Sequence, residues 1–243
     1  MNTLLLLLLA FPGQKFVNLP TGVLPEPHVW QVCVSHRWLP SVFAPGWEHD
    51  PLQAFSAANV RVTLDRSLGD RLVVGGALGI SSRELGARAA WALLPWFTAY
   101  PELNTRLYLP KPESTWFNLG LNFHKTFGEH LALAAQPRYT VSTEHQYVSL
   151  GLAATAGLGG GYAVAIEAEP VLLGRDSTTR HVACGLAIQK QVGWHDFAIT
   201  LGTARGQYAP ALFRSSGAST AYSDVLDIIK GRLRLGFNLL RKI

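Results

Sequence analysis

The chain has no run of about 20 apolar residues, the length that a membrane-spanning helix needs. Its longest apolar run, Leu4 to Phe11, lies at the extreme N-terminus. It is also short of charge. Asp, Glu, Lys and Arg make up 15% of the 243 residues, against 48% hydrophobic, and the mean hydropathy is +0.16. An apolar chain without apolar runs has spread its hydrophobicity along the sequence, and alternation is the direct way to do so. Backbone that crosses hydrocarbon must satisfy its polar groups internally, so spans are helices or closed barrels. With the helix excluded, a membrane protein of this composition is a β-barrel.

Further absences exclude further functions. Net charge is +5 and the pI is about 9.4, yet Lys and Arg are scattered singly and form no basic run, which argues against nucleic acid as a partner. The two cysteines, Cys33 and Cys184, fall on opposite strand faces by the parities below. Their Cβ vectors point apart, so no disulfide is expected even in an oxidising periplasm. The histidines (His28, His36, His49, His124, His130, His145, His181 and His195) lie on different strands or loops, with no i, i+2 pair and no tract. His124 and His181 share a face but lie several strands apart, so no metal site is expected. Gly159-Gly160-Gly161 precedes no helix and is a turn, not a phosphate loop. Ser149, the one serine deep in a strand, has no facing histidine to activate it. Neither a cofactor nor an enzymatic activity is expected.

Asn2 to Phe11 reads as a hydrophobic export segment broken by Pro12-Gly13. No Lys or Arg precedes the leucines and no small-x-small cleavage site is plain, so the start is truncated or the signal atypical. The consecutive leucines show no amphipathic period, which argues against a buried helix. Residues 1–14 are therefore assigned to a signal peptide, 15–27 to an irregular proline-bearing segment, and 28–243 to the barrel.

From His28 the parity is regular, and successive strand residues point to opposite faces. Trp30, Val32 and Val34 oppose Gln31, Cys33, Ser35 and Arg37; Val60, Val62 and Leu64 oppose Arg61, Thr63 and Asp65. Leu72, Val74, Leu78 and Ile80 form the outer face of a third strand, and Leu85 to Leu93 that of a fourth, against Glu84, Gly86 and Arg88. The fifth strand is expected within Glu102–Leu109, between Pro101 and Pro110. Phe117, Leu119, Leu121 and Phe123 oppose Trp116, Asn118, Gly120 and Asn122. Leu131 and Leu133 oppose Ala134, Gln136 and Arg138, with a bulge or break expected at Pro137, which lacks a ladder donor. Val148 to Ala154, Tyr162 to Ala168, Val182 to Ile188 and Phe197 to Leu201 supply four more outer faces. The closing strand is Gly231–Ile243, with Leu233, Leu235, Phe237 and Leu239 opposing Arg232, Arg234, Gly236 and Asn238.

This gives an all-β, closed, antiparallel up-and-down transmembrane barrel of about 12 strands, an even count as in bacterial single-chain barrels. Short turns near Gly69, Phe127, Gly160 and Gly193 face the periplasm, and two long loops, Pro40–Phe55 and Arg205–Asp227, face outward. Strand interiors carry no charge on the outer faces. The inner faces carry Arg37, Arg61, Asp65, Arg71, Glu84, Arg88, Arg138, Glu167, Glu169, Asp196, Arg232 and Arg234. A lipid-facing charge at the bilayer midplane costs about 2–4 kcal/mol, so lipid would enforce this partition. Trp30, Trp96, Phe97, Tyr100, Tyr162 and Trp194 gather near one rim as an aromatic girdle.

Four runs carry a family resemblance: Asn59–Gly79 (NVRVTLDRSLGDRLVVGGALG), Ala135–Val141 (AQPRYTV), Trp194–Ala204 (WHDFAITLGTA) and the terminal RLGFNLLRKI, together with His36-Arg37. They resemble the uncharacterised bacterial β-barrel family called domain of unknown function 5777, from about Val29 to the C-terminus. The resemblance implies an outer-membrane location and supplies no activity. The chain departs from it in a proline-rich, shortened fifth strand and in a terminal Ile where many barrels end in Phe.

The expected lumen holds arginines 37, 61, 71, 88, 138, 232 and 234 against Asp65, Glu84, Glu167, Glu169 and Asp196. Twelve strands lie between the side-chain-filled eight-stranded barrel and the open sixteen-stranded porin. Two functions fit. One is a narrow pore for small polar or anionic solutes, lined by Arg37, Arg61, Asp65, Arg88, Arg138, Glu167, Glu169, Asp196, Arg232 and Arg234, with the arginine excess favouring anions. The other is a scaffold barrel with a plugged lumen that binds a partner or ligand through its long loops. Expected partners are outer-membrane lipid and lipopolysaccharide, the barrel-assembly machinery, and a periplasmic or outer-membrane protein.

Overall fold

The computed structural model describes residues 16–38, 58–80, 83–106, 115–128, 130–142, 146–174, 182–203 and 233–243. The alternation becomes strands β1 (Trp30–Trp38), β2 (Ala58–Ser67), β3 (Leu72–Gly79), β4 (Glu84–Leu94), β5 (Phe97–Arg106), β6 (Thr115–Phe127) and β7 (Leu131–Ser142). It continues in β8 (Gln146–Gly159), β9 (Tyr162–Glu169), β10 (Val171–Leu173), β11 (Ala183–Val192), β12 (His195–Gly202) and β13 (Arg234–Lys242). Each strand pairs antiparallel with its neighbours, and β1 closes on β13 from Gln31↔Lys242 to Arg37↔Gly236. Both β9 and β10 pair with β8 on either side of Pro170, so they are two halves of one wall strand. The result is a closed barrel of twelve wall strands, with no free edge to template aggregation.

The barrel is inside-out relative to a soluble protein. Leu64, Ile166, Ile188 and Ile199 are 47–66% exposed on the outside, whereas Thr98, Asn122 and Ser149 are fully buried inside. A soluble sandwich with the same alternation would bury the apolar parity. An exposed apolar band around a polar interior is stable only against lipid. The described residues contain no helix long and apolar enough to cross a membrane, which leaves strand crossing untouched.

Five tight connections lie at one rim, and by the usual barrel asymmetry that rim is periplasmic. Trp30, Trp96, Tyr162 and Trp194 are exposed there, and Phe97 stacks on Phe123 at 4.8 Å, completing the girdle. Outward cations occur at this end too: Arg66 lies over Trp30 (5.1 Å), Lys125 over Phe127 (5.3 Å) and Lys190 over Tyr162 (3.6 Å). Cation–π contact at the headgroup level lets these charges share the girdle without entering hydrocarbon.

Several expectations change. The fifth strand is Phe97–Arg106, ten residues that continue through Pro101, so it is neither confined to 102–109 nor shortened. Pro101 pairs with Leu119 of β6, and the ladder to β4 passes from Arg88↔Glu102 to Trp91↔Ala99 without a register shift. At Pro137 the expected local break is present, since the ladder to β6 passes over Leu121 and Asn122, but its register is kept and no bulge forms. A missing donor costs a local bond without forcing an extra residue into the strand. The corrected β5 parity puts Tyr100 in the lumen, not in the girdle, beside Thr98, Glu102 and Asn104. Arg71, expected inside, is exposed at the β2–β3 turn. β1 begins at Trp30 and not at His28, whose φ of 63° breaks the strand. The signal segment and both long loops lie outside the described residues, as do Arg232, His49, His145 and His181.

Candidate functional site

The lumen is the enclosed space that the strands share, and residues 16–22, preceding β1, enter it. Residues 16–22 bond to groups on strands from around the whole barrel. Gln189 Nε2 of β11 donates to Phe16 O (2.8 Å), and Asn238 Nδ2 of β13 donates to Val17 O (3.1 Å). Asn122 Nδ2 of β6 donates to Pro20 O (2.9 Å), and Thr98 Oγ1 of β5 donates to Gly22 O (3.0 Å). Only a segment inside the barrel reaches all of these. Phe16, Val17 and Leu19 are 0–1% exposed and pack on Ala134, Ala153, Ala165 and Ala187.

Small side chains on β7 to β11 make this possible. A Cβ added at Gly151 would stand 2.7 Å from Leu19 Cδ1, and one at Gly185 would stand 2.9 Å from Val17 Cγ1. The wall is shaped to these side chains. Polar fixation comes from Glu167. Its Oε2 accepts from three successive amides, Val17 (3.1 Å), Asn18 (2.7 Å) and Leu19 (3.0 Å), and its Oε1 accepts from Asn18 Nδ2 (2.5 Å). Consecutive amides converging on one oxygen form an anion-holding nest, and here the anion is the barrel's own carboxylate. Arg37 completes the clamp: Nη2 donates to Val17 O and to Asn18 Oδ1, each at 3.1 Å, and Nη1 to Asn238 Oδ1 at 3.1 Å. Near the turn rim, Lys242 pairs with Glu26 at 3.7 Å.

The other side of the lumen, β1 to β7, is charged and internally paired. Arg88 meets Asp65 with two nitrogens, Nε–Oδ1 being 2.7 Å, and Arg61 pairs with Glu102. Arg138 pairs with Glu169 at 3.3 Å, and Ser149 Oγ donates to Glu169 Oε1 at 2.7 Å. Gly75 permits the first pair. A Cβ there would lie 2.0 Å from Asp65 Oδ1, so the carboxylate lies flat across the glycine. Between this wall and residues 18–25 is a cavity of about 130 Å³ bordered by Arg61, Asp65, Arg88, Tyr100, Glu102 and Arg138.

Of the expected lumen residues, Arg37, Arg61, Asp65, Arg88, Arg138, Glu167, Glu169, Asp196 and Arg234 all face inward. Glu169 forms an ion pair with Arg138, whereas Glu167 binds backbone amides. Arg234 Nη1 donates to Thr203 O (3.1 Å). Sequence reasoning missed Glu102 and Tyr100, because Pro101 was read as a strand boundary. Their even-numbered alternation with Thr98 and Asn104 was the available signal. It also missed the lumen side chains of residues 16–25, for which no periodicity gave a signal. Cys33 is buried and Cys184 exposed, both free, as the parities require.

No family model and no curated protein matches the chain. Solved structures do. The KdgM porin superposes with a TM-score of 0.56 at 8% identity, over 88% of this chain and 99% of its own. The NanC porin gives 0.51 at 8% identity, over 87% and 97% respectively. An outer membrane channel from Pseudomonas putida F1 gives 0.51 at 14% identity, over 91% and 97%. Identities this low carry the fold and nothing finer. The fold is that of outer-membrane barrels, and with its lipid-facing band the chain is an integral outer-membrane protein.

Proposed function

We propose that the chain is a narrow outer-membrane channel for small polar or anionic solutes, with its passage constricted by residues 16–25. The observation that carries this reading is the cavity along the arginine-bearing wall, beside the inserted segment. Arg37, Arg61, Arg88, Arg138 and Arg234 are matched by Asp65, Glu84, Glu102, Glu167, Glu169 and Asp196, and charges of both signs facing across the lumen set up a transverse field. Small polar solutes pass such a field, and anions are favoured where a guanidinium N–H remains available. Membership in domain of unknown function 5777 is a proposal that rests on the sequence runs quoted above.

Planar-bilayer recording tests the channel. Small, anion-selective steps are expected from the full chain, and larger steps from Glu167→Ala, which loses the nest. Silence from both proteins sinks the channel. That outcome would favour the second reading, a plugged scaffold that binds a partner or ligand through its long loops, Pro40–Phe55 and Arg205–Asp227. The Glu167 nest favours this second reading, because it holds the inserted segment in place. A stoichiometric partner recovered with the silent barrel would establish it.

A further inference from the structure

We propose that a groove on the lipid-facing wall of β6 to β9 holds one anionic phospholipid of the periplasmic leaflet, its phosphate on Lys125 and an acyl chain along the wall. The site lies outside the lumen, so it does not rest on the channel reading. The first observation is shape. On the outward parity of these strands Ala135 lies between Phe123 and Leu152, and Ala154 between Leu133 and Ile166. Ala168 lies beside Leu152, and Ala154 is the diagonal neighbour of both other alanines, so the three hollows join. Trp96, stacked on Phe123 at 6.2 Å, raises one side of the groove together with Phe127. The groove measures about 910 Å³, within the range of about 300–1,000 Å³ typical of ligand pockets. Glu167, between Ile166 and Ala168, turns its carboxylate to the amides of residues 17–19 in the lumen and leaves the groove apolar.

The second observation is a cation at the mouth of the groove. Lys125 is exposed on the outward face of β6 and lines the groove. Its ammonium meets the Phe127 ring at 5.3 Å, and among the described residues it has neither a hydrogen bond nor a carboxylate partner. Lys190, at the same rim, instead donates to Gly160 O at 2.6 Å. The other outward side chains of the groove are aliphatic or aromatic, so Lys125 is the group that selects a headgroup. A phosphate there accepts a charge-assisted hydrogen bond. A choline headgroup would bring a second cation beside the first.

The third is depth. β6 ends at Phe127, so Lys125 stands at the turn rim with Trp96, at the headgroup level of the periplasmic leaflet. Ala135 and Ala168 lie one row further from that rim than Lys125 and Ala154, so a chain anchored at Lys125 runs down the groove toward the bilayer centre. Lipopolysaccharide occupies the opposite leaflet. A second barrel is convex, so it would touch the flanking Phe123, Leu152 and Ile166 and leave the hollows empty. An acyl chain gains no hydrophobic free energy by leaving the bilayer for the groove, so packing in the hollows and the charge of Lys125 carry the preference.

Native mass spectrometry of the full chain released from detergent micelles tests this with dioleoyl phosphatidylglycerol and dioleoyl phosphatidylcholine. One phosphatidylglycerol per barrel is expected, in preference to phosphatidylcholine. Lys125→Gln should lower phosphatidylglycerol retention about fivefold, to the level of phosphatidylcholine. Ala154→Leu fills the central hollow and should lower retention of both lipids about threefold. Lys190→Gln should leave retention unchanged, and heat-modifiable migration reports that each variant is folded. Absence of retained phosphatidylglycerol overturns the site, as does equal retention of the two lipids by the unaltered chain. An equal loss in Lys190→Gln would reduce the effect to general rim charge and overturn it too. A dimer that Ala154→Leu abolishes would replace the lipid by a second copy of the chain.

Discussion

The two halves of the lumen fill the same barrel by opposite means. Around β8, β9 and β11 the inward residues are Gly151, Ala153, Ala163, Ala165, Gly185 and Ala187, and the space they leave is taken by Phe16, Val17 and Leu19. One carboxylate, Glu167, holds that insertion through backbone amides. From β1 to β7 the wall also carries long charged residues, Arg61, Asp65, Arg88 and Glu102, which pair across strands as Arg88–Asp65 and Arg61–Glu102. The first half is completed by a foreign segment and the second by its own side chains. Where wall residues are short, stability depends on what is inserted. Where they are long and paired, the wall stands by itself and leaves a polar cavity beside it.

Breaking the nest should have the largest effect. In Glu167→Ala, hydrogen exchange at the Val17, Asn18 and Leu19 amides should accelerate by about a hundredfold. This corresponds to about 3 kcal/mol, the upper range for one charged hydrogen bond, because the three amides share one oxygen. Unchanged protection would mean that packing alone holds the segment. Gly185→Val should follow at about 1–3 kcal/mol, read in the same amides, because the added methyl groups occupy the place of Val17. In the charged half, a double-mutant cycle of Asp65→Ala and Arg88→Ala should return a coupling of about 1–2 kcal/mol in urea unfolding from lipid vesicles. It should leave exchange at residues 17–19 unaltered; coupled changes there would show that the halves are one unit. Ser149→Ala sits on the seam, where its hydroxyl holds Glu169 opposite Arg138. It should cost about 0.5–1.5 kcal/mol in the same unfolding assay, the smallest effect of the series.

The wall was legible residue by residue. Leu233, Leu235, Phe237 and Leu239 read as outward, and the register of β13 against β1 and β12 puts them there. Proline was the misleading signal. Pro101 and Pro137 look like strand breakers, yet each sits within a strand bonded on both sides and costs pairing only toward one neighbour. Reading Pro101 as a boundary hid the parity of Tyr100 and Glu102, and with it the acid that pairs Arg61. The inserted segment was illegible for a different reason. Residues 16–22 show no alternation, and apart from Arg37 the groups that bind them, from Thr98 and Asn122 to Glu167 and Asn238, lie 76 to 221 residues away in sequence.

Outside β5, the sequence by itself determined which side of the wall each strand residue faces, because lipid excludes charge from one parity at every crossing and so writes the partition into those strands. Tertiary structure alone decided what fills the interior. Whether Arg88 finds Asp65, whether Glu167 finds an arginine or three amides, and whether residues 16–22 lie inside depend on contacts across the closed ring. Inward-facing groups meet water, one another or an inserted chain with no local pattern to choose among them.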